Sequence, residues 1–252
     1  MTKILGLITA RGGSKRVPRK NIKDFLGKPL LAWTVDVGKE SGVLDRFVIS
    51  TEDDEIAEVG KKYGIEVPFT RPAELASDTA GSFGVVKHAV EWLRDNEQYE
   101  APWVILLEPS SPGRQTFHLQ EIGKLLEERT DFDSLIGVSE TPGHFSFLKQ
   151  LTPDQNGILT RVGDGAILRN LIHRNQDVPK SYFINSAVYA FKTANLFDGN
   201  NSLWGNSTYG YVMDSKYALD IDTPEDWLVA EIKMKKLLEE KPATSTSHTQ
   251  NR

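Results

Sequence analysis

No cysteine occurs among the 252 residues. That absence excludes disulfides, thiolate nucleophiles and sulfur-ligated zinc together. Histidine is sparse, and the five present (His88, His118, His144, His173, His248) include no pair at helical metal-ligand spacing, so a metal would have to be held by oxygen. No stretch approaches the ~20 apolar residues that span a bilayer, and Met1-Thr2-Lys3 leads directly into an apolar run without a cleavable leader. A soluble, cytoplasmic protein with no membrane partner is expected. Positive charge is not in excess either: the net charge is −5, whereas a nucleic-acid surface needs a broad basic face. No internal repeat is present. What remains is ample for a core, with 39% hydrophobic and 26% charged residues over a length that suits one large or two small domains.

Apolar runs alternate with helical patterns. Ile4 to Ala10 reads as a strand buried on both faces. Pro29 can open a helix carrying Leu30, Leu31, Trp33, Thr34 and Val37 before Gly42. Phe47 to Ser50 predicts a second strand, Asp53 to Tyr63 a helix stopped by Gly64, and Glu66 to Phe69 another strand. A helix with Phe83, Val86, Val90 and Leu93 on one face follows, then a strand Trp103 to Leu107, a helix Thr116 to Glu128 and a strand Ser134 to Val138. This alternation predicts an α/β fold: a three-layer, doubly wound, mostly parallel sheet with helices on both faces, as one domain over residues 1–240. Residues 139–181 break the pattern with Gly, Pro, Asn and Asp, and are read as an inserted arm with a hairpin in "FLKQLTPDQNGILTRV". Ser186 to Phe191 returns to strand. A strand end and a helix capped by Thr223, with Pro224 in its first turn, close the fold. Residues 241–252 are expected to be a disordered tail.

Against this background one loop stands out. "ARGGSKRVPRKNI" follows the first strand and gathers Arg11, Lys15, Arg16, Arg19 and Lys20. Loops at the carboxyl ends of parallel strands are where open α/β sheets bind ligands. Gly12 and Gly13 would turn backbone N–H groups toward an anion while the cations supply charge for a di- or triphosphate. Neither a Walker A loop nor G-x-G-x-x-G is present, and the competing reading is a solvated basic turn. Asp220-Ile221-Asp222 places two carboxylates on one side of an extended chain, two hard oxygen ligands for Mg²⁺, or else a capping arrangement for the helix at Thr223. In "EPSSPGR", residues 108–114, Ser110, Ser111 and Arg114 can hydrogen-bond a sugar or an acid. Arg174 and Lys180 lie within the arm, as ligand contacts or as surface charge.

Taken together, these stretches resemble the CMP-sialic acid synthetases, the acylneuraminate cytidylyltransferases. "ARGGSKRVPRKNI" is similar to that family's nucleotide signature, "RPAELASDTA" to its next block, "SP-x-R" to its third, "YFINSAVY" to its Asn-Gly-Ala strand and "DIDTPEDW" to its metal pair, in the family's order over about residues 3 to 235. The resemblance implies a nucleotide-diphospho-sugar transferase-like fold. It also implies transfer of CMP from CTP to the anomeric hydroxyl of a nine-carbon 2-keto-3-deoxy sugar acid, with release of pyrophosphate and with Mg²⁺ as cofactor. By position it implies that Ala10, Arg11, Gly12, Gly13, Ser14 and Lys20 hold the nucleotide phosphates, that Asn21 and Arg71 lie near ribose and base, and that Asp220 and Asp222 bind metal. Arg11, Lys20, Asp220 and Asp222 then form the catalytic set; Glu108, Ser110, Ser111, Arg114, Arg174, Lys180 and Asn185 fall to the acceptor. The arm resembles the family's dimerisation element, so CTP, a sugar acid and a second copy of the chain are the expected partners.

The departures lie on the acceptor side. Glu108 stands where the family commonly has glutamine, Asn175 where it has the second arginine of an Arg-Gln block, and Ser186 where it has glycine. A carboxylate near an anionic sugar repels it unless the sugar offers a hydroxyl, amide or amine there. The expected acceptor is therefore a legionaminate, a pseudaminate, a deaminated nonulosonate or a related keto-acid sugar rather than plain N-acetylneuraminate. The alternatives are a nucleotidyltransferase for another keto-acid sugar or base, and a non-catalytic nucleotide-binding protein.

Overall fold

The computed structural model describes residues 2–77, 80–170, 172 and 174–240. The tail expected over 241–252, Asp78 and Thr79 of the "RPAELASDTA" block, and His173 lie outside the described residues. Among the described residues ten strands run in chain order: β1 (Ile4–Thr9), β2 (Asp24–Phe25), β3 (Lys28–Pro29), β4 (Arg46–Ser50), β5 (Trp103–Leu106), β6 (Ser134–Glu140), β7 (Leu151–Pro153), β8 (Leu159–Arg161), β9 (Tyr182–Lys192) and β10 (Thr208–Val212). Five α-helices accompany them: α1 (Leu30–Ser41), α2 (Asp54–Tyr63), α3 (Ser82–Glu97), α4 (Thr116–Glu128) and α5 (Pro224–Glu239). Six strands form the main sheet in the order β10-β6-β9-β5-β1-β4. The β1/β4, β1/β5 and β6/β10 pairs are parallel; β9 runs antiparallel to both of its neighbours.

Strand periodicity explains the layers. Ile4 and Ile8 of β1 and Trp103 and Ile105 of β5 point to one face, where Leu31 and Val35 of α1, Ile56 of α2 and Leu119 and Ile122 of α4 cover them. Leu5, Leu7, Val104 and Leu106 point to the other face, beneath Val86, Ala89, Val90 and Leu93 of α3. A strand covered on both faces reads as a continuous apolar run, which is why β1 and β5 were visible from sequence. A third cluster packs Phe25 and Leu30 against Trp227, Ala230 and Met234 of α5. Among the described residues no helix is long and apolar enough to cross a membrane.

Helix ends follow local chemistry. Asp53 accepts from the Ile56 N–H at 3.0 Å to start α2, and Gly64 at φ 79° ends it. Thr223 and Asp226 form a capping box for α5, with Pro224 at its first position as expected. Pro29, expected inside α1, caps it from outside. At the start of α4 the Gln115 N–H donates to Nδ1 of His118 at 3.0 Å. Burial, with a smaller push from Arg114, lowers the His118 imidazole to about 3, so it stays neutral and able to accept.

Three elements differ from the sequence expectation. Over 66–69 only Glu66 bridges, to Val48, because Pro68 has no N–H to continue a ladder. Residues 218–222 form no strand; the Ile221 N–H bonds the Ser110 carbonyl at 3.0 Å instead. The strand β10 is unexpected, since the polar, glycine-containing "TYGYV" carries no apolar run. In the arm, β7 and β8 form the expected hairpin, turned by Asp154, whose carboxylate accepts from the N–H groups of Asn156 and Ile158.

Candidate active site

The carboxyl ends of β1, β4 and β5 lie side by side, and the loops that leave them enclose a cavity of about 310 Å³. Five cations (Arg11, Lys15, Arg16, Lys20 and Arg71) face two carboxylates there, Glu108 and Asp222. That imbalance makes the cavity a receptor for a polyanion. Ser14, Asn21 and Ser110 also line it, and Gly12 and Gly13 line a shallower cavity that shares Arg11, Ser14 and Lys15 with it.

The basic loop is held from below. Val17 is buried in the same apolar cluster as Phe25 and Ile221. The Asn21 amide donates to the Arg11 carbonyl at 3.0 Å, and the Ala10 N–H to the Ser50 carbonyl at 3.1 Å. Gly12 is required by space, because a Cβ there would meet the Asp53 carboxylate. Its N–H donates to Oε1 of Glu52 at 2.7 Å, so in this structure it is engaged by a carboxylate rather than turned to an anion. Arg19 also departs from the expectation that it serves phosphate. It forks onto Asp53 and pairs with Glu55, and its hydrogen bonds hold the Asp53 carboxyl below the usual range. Glu52 and Asp53 were missed as supports of this loop. The available signal was their place in "STEDDE", directly after a parallel strand.

Lys20 reaches across to the acidic pair. Its ammonium bonds the Ile221 carbonyl at 2.7 Å and Oδ1 of Asp222 at 3.2 Å, and Arg16 lies 3.7 Å from Oδ2 of Asp222. Arg71, 4% exposed, donates from Nε to the Ser50 hydroxyl at 3.0 Å and also to the Ser50 carbonyl. Its guanidinium is thereby fixed at the cavity wall. Burial pushes the Glu108 carboxyl up, and the charge of Asp220 adds to that push. Burial likewise raises Asp220; the hydroxyls of Ser186 and Ser110 draw it back, against the charge of Asp222.

Two hard carboxylates beside a phosphate-sized basic cavity fit magnesium, which takes one or two carboxylates and completes its shell with water and substrate phosphates.

Several of the residues expected at the acceptor bond neighbouring protein groups in this structure. Arg114 is 1% exposed and lies beneath the cavity, donating to the Ala187 carbonyl, to the Thr34 hydroxyl at 3.2 Å and to the Glu108 carbonyl at 3.0 Å. Burial pulls its guanidinium down to about 9. Ser111, fully buried, donates to the Ser186 carbonyl at 2.9 Å. Asn185, 3% exposed, bonds Ser139 and the Ala187 N–H. Arg174 lies 3.9 Å from Asp177 and Lys180 lies 3.0 Å from Glu140; both sit on the arm and neither lines the cavity. In each of these positions the polar residue satisfies backbone or neighbouring charge, a demand that sequence spacing does not reveal.

A family model described as cytidylyltransferase matches residues 5–97. The pseudaminic acid cytidylyltransferase of Campylobacter jejuni (serotype O:23/36, strain 81-176) is 32% identical over 233 residues, covering 91% of this chain and 95% of that protein. The N-acylneuraminate cytidylyltransferase of Streptococcus agalactiae (serotype V) is 30% identical over 224 residues, covering 88% of this chain and 51% of that longer protein. Among solved structures, CMP:2-keto-3-deoxy-manno-octonic acid synthetase complexed with CTP superposes with a TM-score of 0.66 at 13% identity, over 95% of this chain and 100% of that one. That likeness bears on the fold, and agrees with the doubly wound, mostly parallel sheet.

Proposed function

The chain belongs to the CMP-sialic acid synthetase family of cytidylyltransferases, and from that premise we propose that its basic cavity binds CTP with Mg²⁺ and that Glu108 selects the acceptor. It is a nucleotidyltransferase that transfers CMP from CTP to a nonulosonic acid. The anomeric hydroxyl oxygen forms a bond to the α-phosphorus and gives up its proton to water, the bond from that phosphorus to the oxygen bridging it to the β-phosphate breaks, and pyrophosphate leaves. The observation that carries the reading is the pairing of five cations with the Asp222 carboxylate in one cavity. Arg11, Lys15, Ser14 and Lys20 would hold the triphosphate, while Asn21 and Arg71, fixed on the wall, would meet ribose and base. Asp220 and Asp222 would hold Mg²⁺, which when bound neutralises charge developing on the phosphates. Lys20, now bonded to Asp222, would then be released toward phosphate. CTP is a cytoplasmic metabolite, which supports a cytoplasmic reaction.

Glu108 sets the acceptor class. A half-buried carboxyl beside Asp220 disfavours a second anion at that spot and favours a group that donates hydrogen bonds. The second acylamino group of pseudaminate- or legionaminate-type sugars, which N-acetylneuraminate lacks, is such a donor. The test is pyrophosphate release with each of the four NTPs and a panel of 2-keto-3-deoxy acids beside a no-acceptor control. CTP with a diamino-type nonulosonate should give the highest kcat/KM, and Glu108→Gln should lower that value about tenfold while gaining turnover of N-acetylneuraminate. Turnover of N-acetylneuraminate alone by the unmodified protein would sink the assignment.

The arm is assigned to a second copy of the chain. Phe145 (63% exposed), Phe147 (56%), Ile158 (64%) and Ile167 (55%) leave apolar side chains along it that a monomer would keep in water. A homodimer mass by light scattering is expected, and a monomer at micromolar concentration would remove the assignment.

A further inference from the structure

The segment that ends β4 and follows it joins the two ends of the cavity. The Ser50 carbonyl accepts from the Ala10 N–H at 3.1 Å, at the start of the basic loop, and also from the Arg71 guanidinium. The Ser50 hydroxyl accepts from Nε of Arg71 at 3.0 Å, and the Thr51 carbonyl from the Arg71 backbone N–H at 2.8 Å. Glu52 comes next. Its Oε1 accepts from the Gly12 N–H at 2.7 Å, while its Oε2 is buried, accepts no hydrogen bond among the described residues, and lies 3.8 Å from Nη1 of Arg71. That separation is too long for a hydrogen bond and well within the reach of a charge pair.

The Gly12 bond alone does not call for a carboxylate. A glutamine of the same length would accept that N–H through its amide oxygen without burying part of a charge. The second oxygen therefore needs a separate reason, and the group beside it supplies one. Arg71 is 4% exposed and lines the cavity together with Arg11, Lys15, Arg16 and Lys20. A buried cation in such company needs a counter-charge. Among the described residues Glu52 is the one carboxylate within 4 Å of the Arg71 guanidinium. Burial pulls that guanidinium down, Glu52 opposes the pull, and Arg11 adds to it. Glu52 itself lines neither this cavity nor the shallower one beside it, so it acts through its neighbours.

We infer that Glu52 is a positioning residue for the nucleotide: anchored by the Gly12 N–H, its carboxylate is the counter-charge that seats the Arg71 guanidinium on the cavity wall, and one side chain thereby ties the phosphate end of the cavity to the base end. The inference rests on the reading above, in which the triphosphate lies on the basic loop while ribose and base meet Arg71. It depends neither on the acceptor nor on the metal pair.

The test compares two ligands by calorimetry without divalent cation: CTP, and inorganic tripolyphosphate, which carries the charge but has no ribose or base. Glu52→Gln keeps the side-chain length and an acceptor for the Gly12 N–H, and removes the counter-charge. It should weaken CTP binding about tenfold, within the range of coupling between neighbouring groups. Tripolyphosphate should bind as before or more tightly, because a negative charge has left the surroundings of the cavity. In an Arg71→Gln background the same change should no longer weaken CTP, since the group that Glu52 seats is gone. A role confined to supporting the loop predicts instead that both ligands weaken together. Parallel changes in the two ligands would overturn the inference, as would unchanged CTP affinity in Glu52→Gln or a loss that persists in the Arg71→Gln background. An unmodified protein that bound tripolyphosphate but not CTP would remove the nucleotide reading itself and the inference with it, so the two failures are told apart.

Discussion

Asp222→Asn is expected to lower kcat by about 10²–10³-fold, the range found when an electrostatic contributor to a transition state is removed, while the protein stays folded and still binds CTP. The side chain of Asp222 is 54% exposed, and its two ion pairs, with Lys20 at 3.2 Å and Arg16 at 3.7 Å, face solvent. Exposed pairs of this kind contribute at most about 1 kcal/mol, and asparagine preserves the volume, so Tm should move little. The backbone N–H of residue 222, which donates to Asp226 at 3.1 Å, is untouched. Metal-free CTP binding should hold or tighten, because the substitution leaves Lys20 and Arg16 without their carboxylate in a cavity already rich in cations. Loss of turnover with retained CTP affinity therefore reports the metal role, and unchanged turnover would remove it. A non-catalytic nucleotide binder would have no use for the acidic pair.

The parts of the site legible in the sequence were those whose signal is local. Lys20, Asn21, Arg71 and Asp222 are brought to one cavity because each follows a strand end or a strongly patterned block. The buried strands β1 and β5 were legible for a similar reason, since burial on both faces leaves an unbroken apolar run. By contrast β10, at the edge of the sheet, sets part-buried Tyr209 and buried Tyr211 between exposed residues and carries a glycine, so "TYGYV" shows no apolar run. Asp53 and Arg19 illustrate the other failure. An acidic residue after one strand and a basic residue after another neutralise each other only once the fold brings those strands side by side. Spacing along the chain ranks Arg19 with the phosphate-binding cations; pairing across the sheet assigns it to Asp53. Asn185 and Ser111 were recognised as members of a functional block, yet their side chains face inward, because a bulge with displaced carbonyls and N–H groups needs buried partners.

Arg114 carries that point to its largest consequence. It is a buried cation whose three donors reach three different elements: the bulge in β9 through Ala187, helix α1 through Thr34, and the loop after β5 through the Glu108 carbonyl. Removing it to give Arg114→Ala takes the guanidinium donor from the Ala187 carbonyl, leaves the Glu108 carbonyl to the Ser111 N–H and the Thr34 hydroxyl, and opens a void where one of the largest fully buried side chains stood. Breaking a buried charged network typically destabilises by about 3–5 kcal/mol. For a chain of this size Tm should fall by about 6–20 °C in circular dichroism melts. Arg114→Lys keeps the charge but not the planar fork, so it should recover only part of the loss, since one ammonium cannot satisfy acceptors on three sides. The competing role, a direct contact to the acceptor carboxylate, predicts a different pattern: raised KM for the sugar acid with Tm unchanged. Because the guanidinium is 1% exposed, the melt should move first. Any loss of activity in the surviving folded fraction should follow from displacement of Glu108, which lines the cavity and whose carbonyl Arg114 holds.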